Sequence, residues 1–465
     1  MKYRKEIDGL RAVAVLAVIS FHGEFVIFKG GYVGVDIFFV ISGFLITTIL
    51  MNDLKSGELS ILDFYERRAR RILPALMFVL GCTVLLSWVC MFPDQIENLS
   101  KTLIATLFYS SNFMFWQTAG YYTVGAQEMP LLHTWSLSVE EQYYLVFPFI
   151  LAFLWRKKRG WLVLSLIFVG VASFTLSEWG WRHSSVANFY LIPSRAWELL
   201  LGSLAAIYHL RSVDNSSKLI DNTIATIGLL MVLSPIFLFN KSTPNPSYYT
   251  LIPTLGTVAV ILYANSGTLV NRILSLKLLV GVGLISYSAY LWHYPIYAFS
   301  RILSIEKPSL EQSVLSGVGA LTLGYLSWKF IEKPFRDKQT IPLRTLLIWI
   351  GTSTTILLFI GISGYASSGY KNLYLNKDGQ KFLAEYTGRK DSHIPYRYEC
   401  NFYFTNTIQT DCLYQKKEKK KVTLVWGGLP CPGFNCWTAG TIFRPTFFCP
   451  TYHLWLRPRN RDYRS

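Results

Sequence analysis

The sequence predicts an all-α polytopic membrane protein with about eleven transmembrane helices, a cytoplasmic N-terminus, a periplasmic C-terminus and a short irregular external tail. Three observations carry this. Of 465 residues, 51% are hydrophobic and only 16% charged, whereas soluble domains carry about 25% charged residues. Apolar runs near the length of a membrane span recur from the N-terminus to about residue 365. The basic residues sit in clusters between those runs, so the net charge of +17 reflects orientation in a bilayer rather than affinity for nucleic acid. A water-soluble enzyme and a nucleic-acid-binding protein are both excluded.

The candidate spans are 10–28, 32–51, 73–92, 136–155, 161–176, 196–210, 223–239, 249–265, 278–299, 310–331 and 346–365. Lys2, Arg4 and Lys5 precede the first span. Further basic clusters fall at Arg67, Arg68, Arg70 and Arg71, at residues 156–159, and around residues 333–338. An N-inside start places all of them on the cytoplasmic side. The stretch Leu99 to Gln117 is also apolar, but as a lone extra span it would invert every later loop, so it reads as re-entrant or interfacial. The N-terminal run carries Arg11 and leads straight into another span, which marks a retained helix rather than a cleaved signal. Location in a bacterial inner membrane follows.

Charges inside hydrocarbon are costly, so each needs a partner or a task. Asp8, Arg11 and His22 lie on the first helix. Eleven residues advance an α-helix three turns plus about 20°, so Arg11 and His22 share one face roughly 16 Å apart. Asp8 lies one turn before Arg11 and joins this stripe. Asp36 near the outer end of the second span, and Glu140 and Glu141 in the fourth, are expected at a depth similar to His22. A carboxylate beside an imidazole is the usual arrangement of a general base that removes a hydroxyl proton, so Asp36 and Glu141 are its expected partners. Asp8, Glu140, the pair Arg195 and Glu198, and His293 are candidates for structural ion pairs or acceptor contacts.

FYERRARRI places Arg67 and Arg71 one helical turn apart, with Arg68 between them. Such guanidinium forks can converge on a phosphate. A basic loop beside the cytoplasmic leaflet also serves as a topology signal or lipid contact. No P-loop run is present. Buried His and carboxylate groups also suit a proton relay, so a transporter or carrier of a lipid-linked sugar is the competing class. The absence of a long internal repeat counts against it.

Seven fragments, YRKEIDGLRAVAVLAVISFH, GGYVGVDIFFVISGFLIT, FYERRARRILPAL, WSLSVEEQYYLVFP, PSRAWELLLG, ISYSAYLWHYPI and IEKPFR, occur in order over about residues 1–370. Together they resemble the membrane-bound acyltransferase-3 family, of the O-antigen acetylase type. The resemblance implies catalytic roles for Arg11 and His22, and contact of Arg67 and Arg71 with an acyl-CoA donor. It implies transfer of an acyl group, acetyl foremost, from cytoplasmic acetyl-CoA or another acyl-CoA to a hydroxyl of a lipid-linked or surface glycan such as lipopolysaccharide O-antigen. No metal is expected.

Residues 1–365 are therefore expected to form the membrane acyltransferase domain and 366–421 a periplasmic linker, in which Cys400 and Cys412 are candidates for a disulfide. In proteins of the resembled type an SGNH-like hydrolase domain often follows, beginning with a strand that ends in Gly-Asp-Ser. Here VTLVWG, residues 422–427, is followed by Gly428 and Leu429, then Cys431, Cys436, Cys449 and an arginine-rich end. One set of codons for Gly-Gly-Leu-Pro-Cys, GGT GGA CTC CCA TGC, yields Gly-Asp-Ser-His-Ala on loss of one G. Residues 422–465 thus read as a remnant of that domain, truncated or out of frame after 427, and an inactive truncated acyltransferase is a further alternative. Cys431, Cys436, Cys449 and His453 match no usual zinc spacing.

Overall fold

The computed structural model describes residues 3–118, 126–155, 159–211, 217–304, 308–371, 414–415 and 422–423. The chain divides into two compact units, Met1–Tyr374 and Leu375–Ser465. In the second, β1 (Tyr414–Gln415) pairs antiparallel with β2 (Val422–Thr423). Cys400, Cys412 and everything from residue 424 onward, including the proposed frame change, lie outside the described residues.

The first unit is built from α-helices. They are α1 (Lys5–His22), α2 (Gly34–Ser56), α3 (Ile61–Cys90), α4 (Pro93–Leu107), α5 (Ser111–Thr118), α6 (Thr134–Trp155), α7 (Arg159–His183) and α8 (Ser185–Tyr190). There follow α9 (Ile192–His209), α10 (Lys218–Leu238), α11 (Leu251–Tyr263), α12 (Leu269–Leu274), α13 (Lys277–Leu303), α14 (Leu310–Ser327), α15 (Lys333–Arg336) and α16 (Leu343–Ala366). The helix ends are written in the sequence. Ser60, Ser217 and Thr268 accept the backbone N–H three residues on, Ser309 and Gln312 form a reciprocal capping box, and Gly57 ends α2 at φ +73°.

Each of the expected spans overlaps a helix, but α1 ends at His22, so the first expected span, 10–28, overruns it and His22 stands at the helix end rather than inside it. Seven helical segments of the described residues are long and apolar enough to cross a membrane, and Tyr248–Tyr263 is a shorter apolar one. The remaining runs lie on α1, α9 and α13, whose interior carries the polar groups that matter below. Large apolar side chains such as Leu164, Phe168 and Val171 on α7, and Ile348, Ile356, Phe359 and Ile362 on α16, face outward. Such an exterior needs lipid as its solvent. This is an all-α polytopic membrane protein. The stretch Leu99–Gln117 is not one helix: it breaks between α4 and α5 at Tyr109, whose φ is +49°, and α4 packs on α16.

The helices that carry the polar groups approach closely because glycines line their contacts. A Cβ on Gly283 of α13 would lie 1.9 Å from the Asp8 carbonyl oxygen of α1, and one on Gly43 of α2 would lie 1.9 Å from the Leu199 carbonyl oxygen of α9. We expect Gly283→Leu to force α1 and α13 apart and to destabilise the bundle by about 1–3 kcal/mol or more, read as a lower unfolding temperature in detergent; an unchanged temperature contradicts this packing.

Candidate active site

Helix α1 connects two polar clusters. Near its start, Arg11 pairs with Asp8 at 3.1 Å, and Tyr3 donates to the other Asp8 oxygen at 2.7 Å. Glu332 and Arg336 are the next charged neighbours of Arg11. A π-turn, Trp328–Glu332, carries the chain from α14 to α15. It buries Glu332 fully, where the carboxylate accepts from Ser288 at 2.8 Å and pairs with Arg336.

Arginines from α3 complete this cluster, with different roles. Arg71 has Arg11, Arg68 and Glu332 as its charged neighbours, yet among the described residues no carboxylate comes within ion-pair distance of it. Arg68 pairs with Glu141 at 3.4 Å and lies over the Tyr144 ring at 4.0 Å. Glu140 instead accepts from Ser42 at 2.8 Å. Arg70 is buried and structural: it bonds Glu66 and the carbonyls of Phe335 and Ile341, tying α3 to the α15–α16 connection. Arg67 turns outward to Asp53 at 2.8 Å. The expected convergence of Arg67 and Arg71 is therefore corrected, because the end of α2 supplies a carboxylate that takes Arg67. Arg11, Arg68, Arg71 and Arg336 are the guanidinium groups brought together, and Arg71 is the one left without an ion pair.

At the other end of α1, His22 meets two further histidines. The His22 and His293 ring centroids are 5.3 Å apart, and His133 lies 5.5 Å from His293. The Tyr294 ring sits 4.8 Å from His22 and 5.7 Å from His133. His293 is fully buried; its Nδ1 engages the Tyr290 carbonyl, and its Nε2 has no hydrogen-bond partner among the described residues. His133 lies against the carbonyls of Pro130 and Leu291 without a well-formed bond to either ring nitrogen. The Leu291 carbonyl is accessible because Pro295, four residues on, has no N–H to offer it. Tyr290 is held by Ser136 at 2.6 Å and by the His133 carbonyl at 3.1 Å. Arg301 donates to the His22 carbonyl and reaches Glu24 at 3.9 Å. Nearby, burial raises the Glu128 carboxyl above the ordinary range, with Arg301 opposing.

The carboxylates expected beside His22 are engaged elsewhere. Asp36 pairs with Arg195 at 2.7 Å and accepts from Asn245 at 2.9 Å. Arg195 also binds Glu198 at 3.1 Å, the Phe189 carbonyl and Asn245. Glu141 faces Arg68. Neither Asp36 nor Glu141 orients the His22 ring in this structure; their helices turn those side chains toward α9 and α3. His133, Tyr290, Tyr294, Glu332, Arg301 and Arg336 escaped the sequence reading as site residues. The signals available were an isolated buried His before an apolar helix and the basic IEKPFR turn.

A family pattern described as an acyltransferase domain matches residues 4–329. The chain belongs to the acyltransferase-3 family. Arg11, His22, Arg68, Arg71, His133 and His293 all lie inside the match, and Arg336 lies just beyond it. The chain is 36% identical over 358 residues to the peptidoglycan O-acetyltransferase OatA of Listeria monocytogenes, covering 73% of this chain and 57% of the relative. It is 31% identical to the O-acetyltransferase OatA of Staphylococcus aureus, covering 72% and 58%. It is 32% identical to the putative peptidoglycan O-acetyltransferase YrhL of Bacillus subtilis, covering 78% and 61%. The chain thus spans roughly three-fifths of the length of these relatives. No solved structure matches it. Among the described residues no group of His, Cys, Asp and Glu is arranged to hold a metal.

Proposed function

We propose that this chain is an O-acetyltransferase of the inner membrane that moves an acetyl group from acyl-CoA to a hydroxyl of a cell-surface glycan. The carrying observation is that one buried helix, α1, joins a cluster of four arginines to a cluster of three histidines. The relatives' names favour peptidoglycan as the glycan, in place of the lipopolysaccharide O-antigen expected from the sequence.

The arginine end faces the cytoplasm in this reading, which the clusters of basic residues between spans support. There the phosphates of acyl-CoA dock on Arg71, with Arg68, Arg11 and Arg336 around it, and the pantetheine arm follows the polar face of α1 toward His22. A glycan hydroxyl enters from the opposite side. His22 takes its proton as the hydroxyl oxygen bonds to the acyl carbon; the carbon–sulfur bond then breaks, its electron pair leaves on sulfur, and the imidazolium returns the proton to give free CoA thiol. The products are the acetyl ester and CoA, so atoms and charge balance.

Membranes containing the chain, supplied with acetyl-labelled acetyl-CoA and peptidoglycan acceptor, are expected to yield base-labile label in the glycan. Movement of substrate without transfer of label supports the transporter reading instead. Within this reading, Arg71→Ala removes a charge-assisted contact of about 1.5–3 kcal/mol, so KM for the donor rises roughly tenfold to a hundredfold. Arg67→Ala, which loses only an exposed pair with Asp53, leaves KM within about twofold. Equal effects of the two substitutions contradict the assignment.

A further inference from the structure

Among the described residues no carboxylate pairs with the His22 imidazole, and the His293 ring lies beside it. His293 Nδ1 faces the Tyr290 carbonyl of its own helix, and a carbonyl can only accept. Nδ1 therefore carries the ring proton and Nε2 holds a lone pair. That lone pair is buried and has no partner among the described residues, on the side of the ring away from its own backbone. Buried polar atoms of this kind are rare and call for a partner.

The surrounding groups narrow the choice. Tyr290 is already held by Ser136 and the His133 carbonyl. His133 lies against two carbonyl oxygens, which compete for its N–H. Of the two remaining ring neighbours, Tyr294 lies at 5.9 Å and His22 is the nearer, with its ring centroid 5.3 Å from that of His293. A linear N–H···N bond of about 3 Å sets two imidazole centroids roughly 5 Å apart. The separation of the two rings therefore matches such a bond.

We propose that His293 is the positioning residue of the active site: its Nε2 accepts the N–H of His22, fixing the tautomer that leaves the other His22 nitrogen free to take the proton of the glycan hydroxyl. This rests on His22 as the base. In the reaction the proton moves from the hydroxyl to His22 and back to the departing sulfur, while His293 keeps its own Nδ1 proton throughout. A neutral imidazole thereby does the orienting work that a carboxylate does in a Ser-His-Asp triad.

Two near-isosteres separate this from a structural role. The amide of Asn overlays Nδ1 and preserves the bond to the Tyr290 carbonyl but offers nothing at Nε2. The amide of Gln overlays Nε2 and presents an oxygen acceptor there. His293→Asn is expected to lower kcat at least about tenfold with donor KM unchanged, whereas His293→Gln recovers most of the activity. The reverse order, Asn active and Gln inactive, overturns the proposal. A second readout does not need turnover: in protein with ¹⁵N-labelled histidine in detergent, His22 is expected to be a single tautomer in wild type and His293→Gln, and a mixture in His293→Asn. A His22 signal indifferent to His293→Asn overturns the proposal whatever the activities. His22→Ala is the control for the underlying reading; if it retains transfer, His22 is not the base, a result separate from either outcome at His293.

Discussion

His22→Ala is expected to lower acetyl transfer at least about a hundredfold while the protein remains inserted and folded. General-base catalysis contributes about 10²–10⁴ in rate, and here no second imidazole is placed to take over without repositioning. The His293 lone pair is directed by its Tyr290 bond, and His133 lies behind it against the carbonyls of Pro130 and Leu291. The fold survives because His22 ends α1 with no ion pair among the described residues, and its carbonyl, which Arg301 holds, is untouched by the substitution. The measurement is ester-linked acetyl released from surface glycan by mild base, compared at equal amounts of membrane-inserted protein. Full acetylation by the variant ends the assignment.

Arg195→Met is expected to have the largest effect on stability. Arg195, Asp36 and Glu198 are each within about 1% of complete burial, and the guanidinium bonds both carboxylates. Removing one partner from a buried ion pair costs about 3–5 kcal/mol because the remaining charge has no compensation. Here two carboxylates are left. The unfolding temperature in detergent should fall steeply, and the triple variant Arg195→Met, Asp36→Asn, Glu198→Gln should recover much of the loss. Failure of the added neutral amides to recover it would falsify the electrostatic origin and point to lost packing against Trp135 and Phe189, over which the guanidinium lies. The same network explains why Asp36 does not serve His22: moving it to the imidazole would strand Arg195.

The polar stripe of α1 was legible because a helix has a fixed period. Asp8, Arg11 and His22 fall on one face by counting, and the Asp8–Arg11 pair follows. The partners of that stripe were not legible, for a geometric reason. Counting from a membrane boundary gives depth along an axis, but contact also depends on how each helix is rotated and on side-chain reach. Asp36 has the depth of a His22 partner and the azimuth of an Arg195 partner. Glu141 is reached from the opposite end of the bundle by Arg68. Arg67 and Arg71 share a helical face, but only Asp53, 14 residues earlier in sequence, decides that Arg67 leaves the cluster. Arg336 and His293 show the converse: each is far from α1 in sequence and comes close to it only after α13 and α14 pack.

What the sequence determined by itself is whatever depends on composition and period: lipid as the solvent, helices as the spanning element, the α1 stripe, and the ordered motifs of the acyltransferase-3 family. These are properties of single segments, set by hydrophobic transfer and backbone hydrogen bonding. The tertiary structure alone decided which charges neutralise one another, which arginine of the cluster has no ion pair among the described residues, and which rings lie beside His22. Those are pairwise terms that vary steeply with distance. The glycine contacts at Gly43 and Gly283 set those distances, by bringing helix backbones together that lie far apart along the chain.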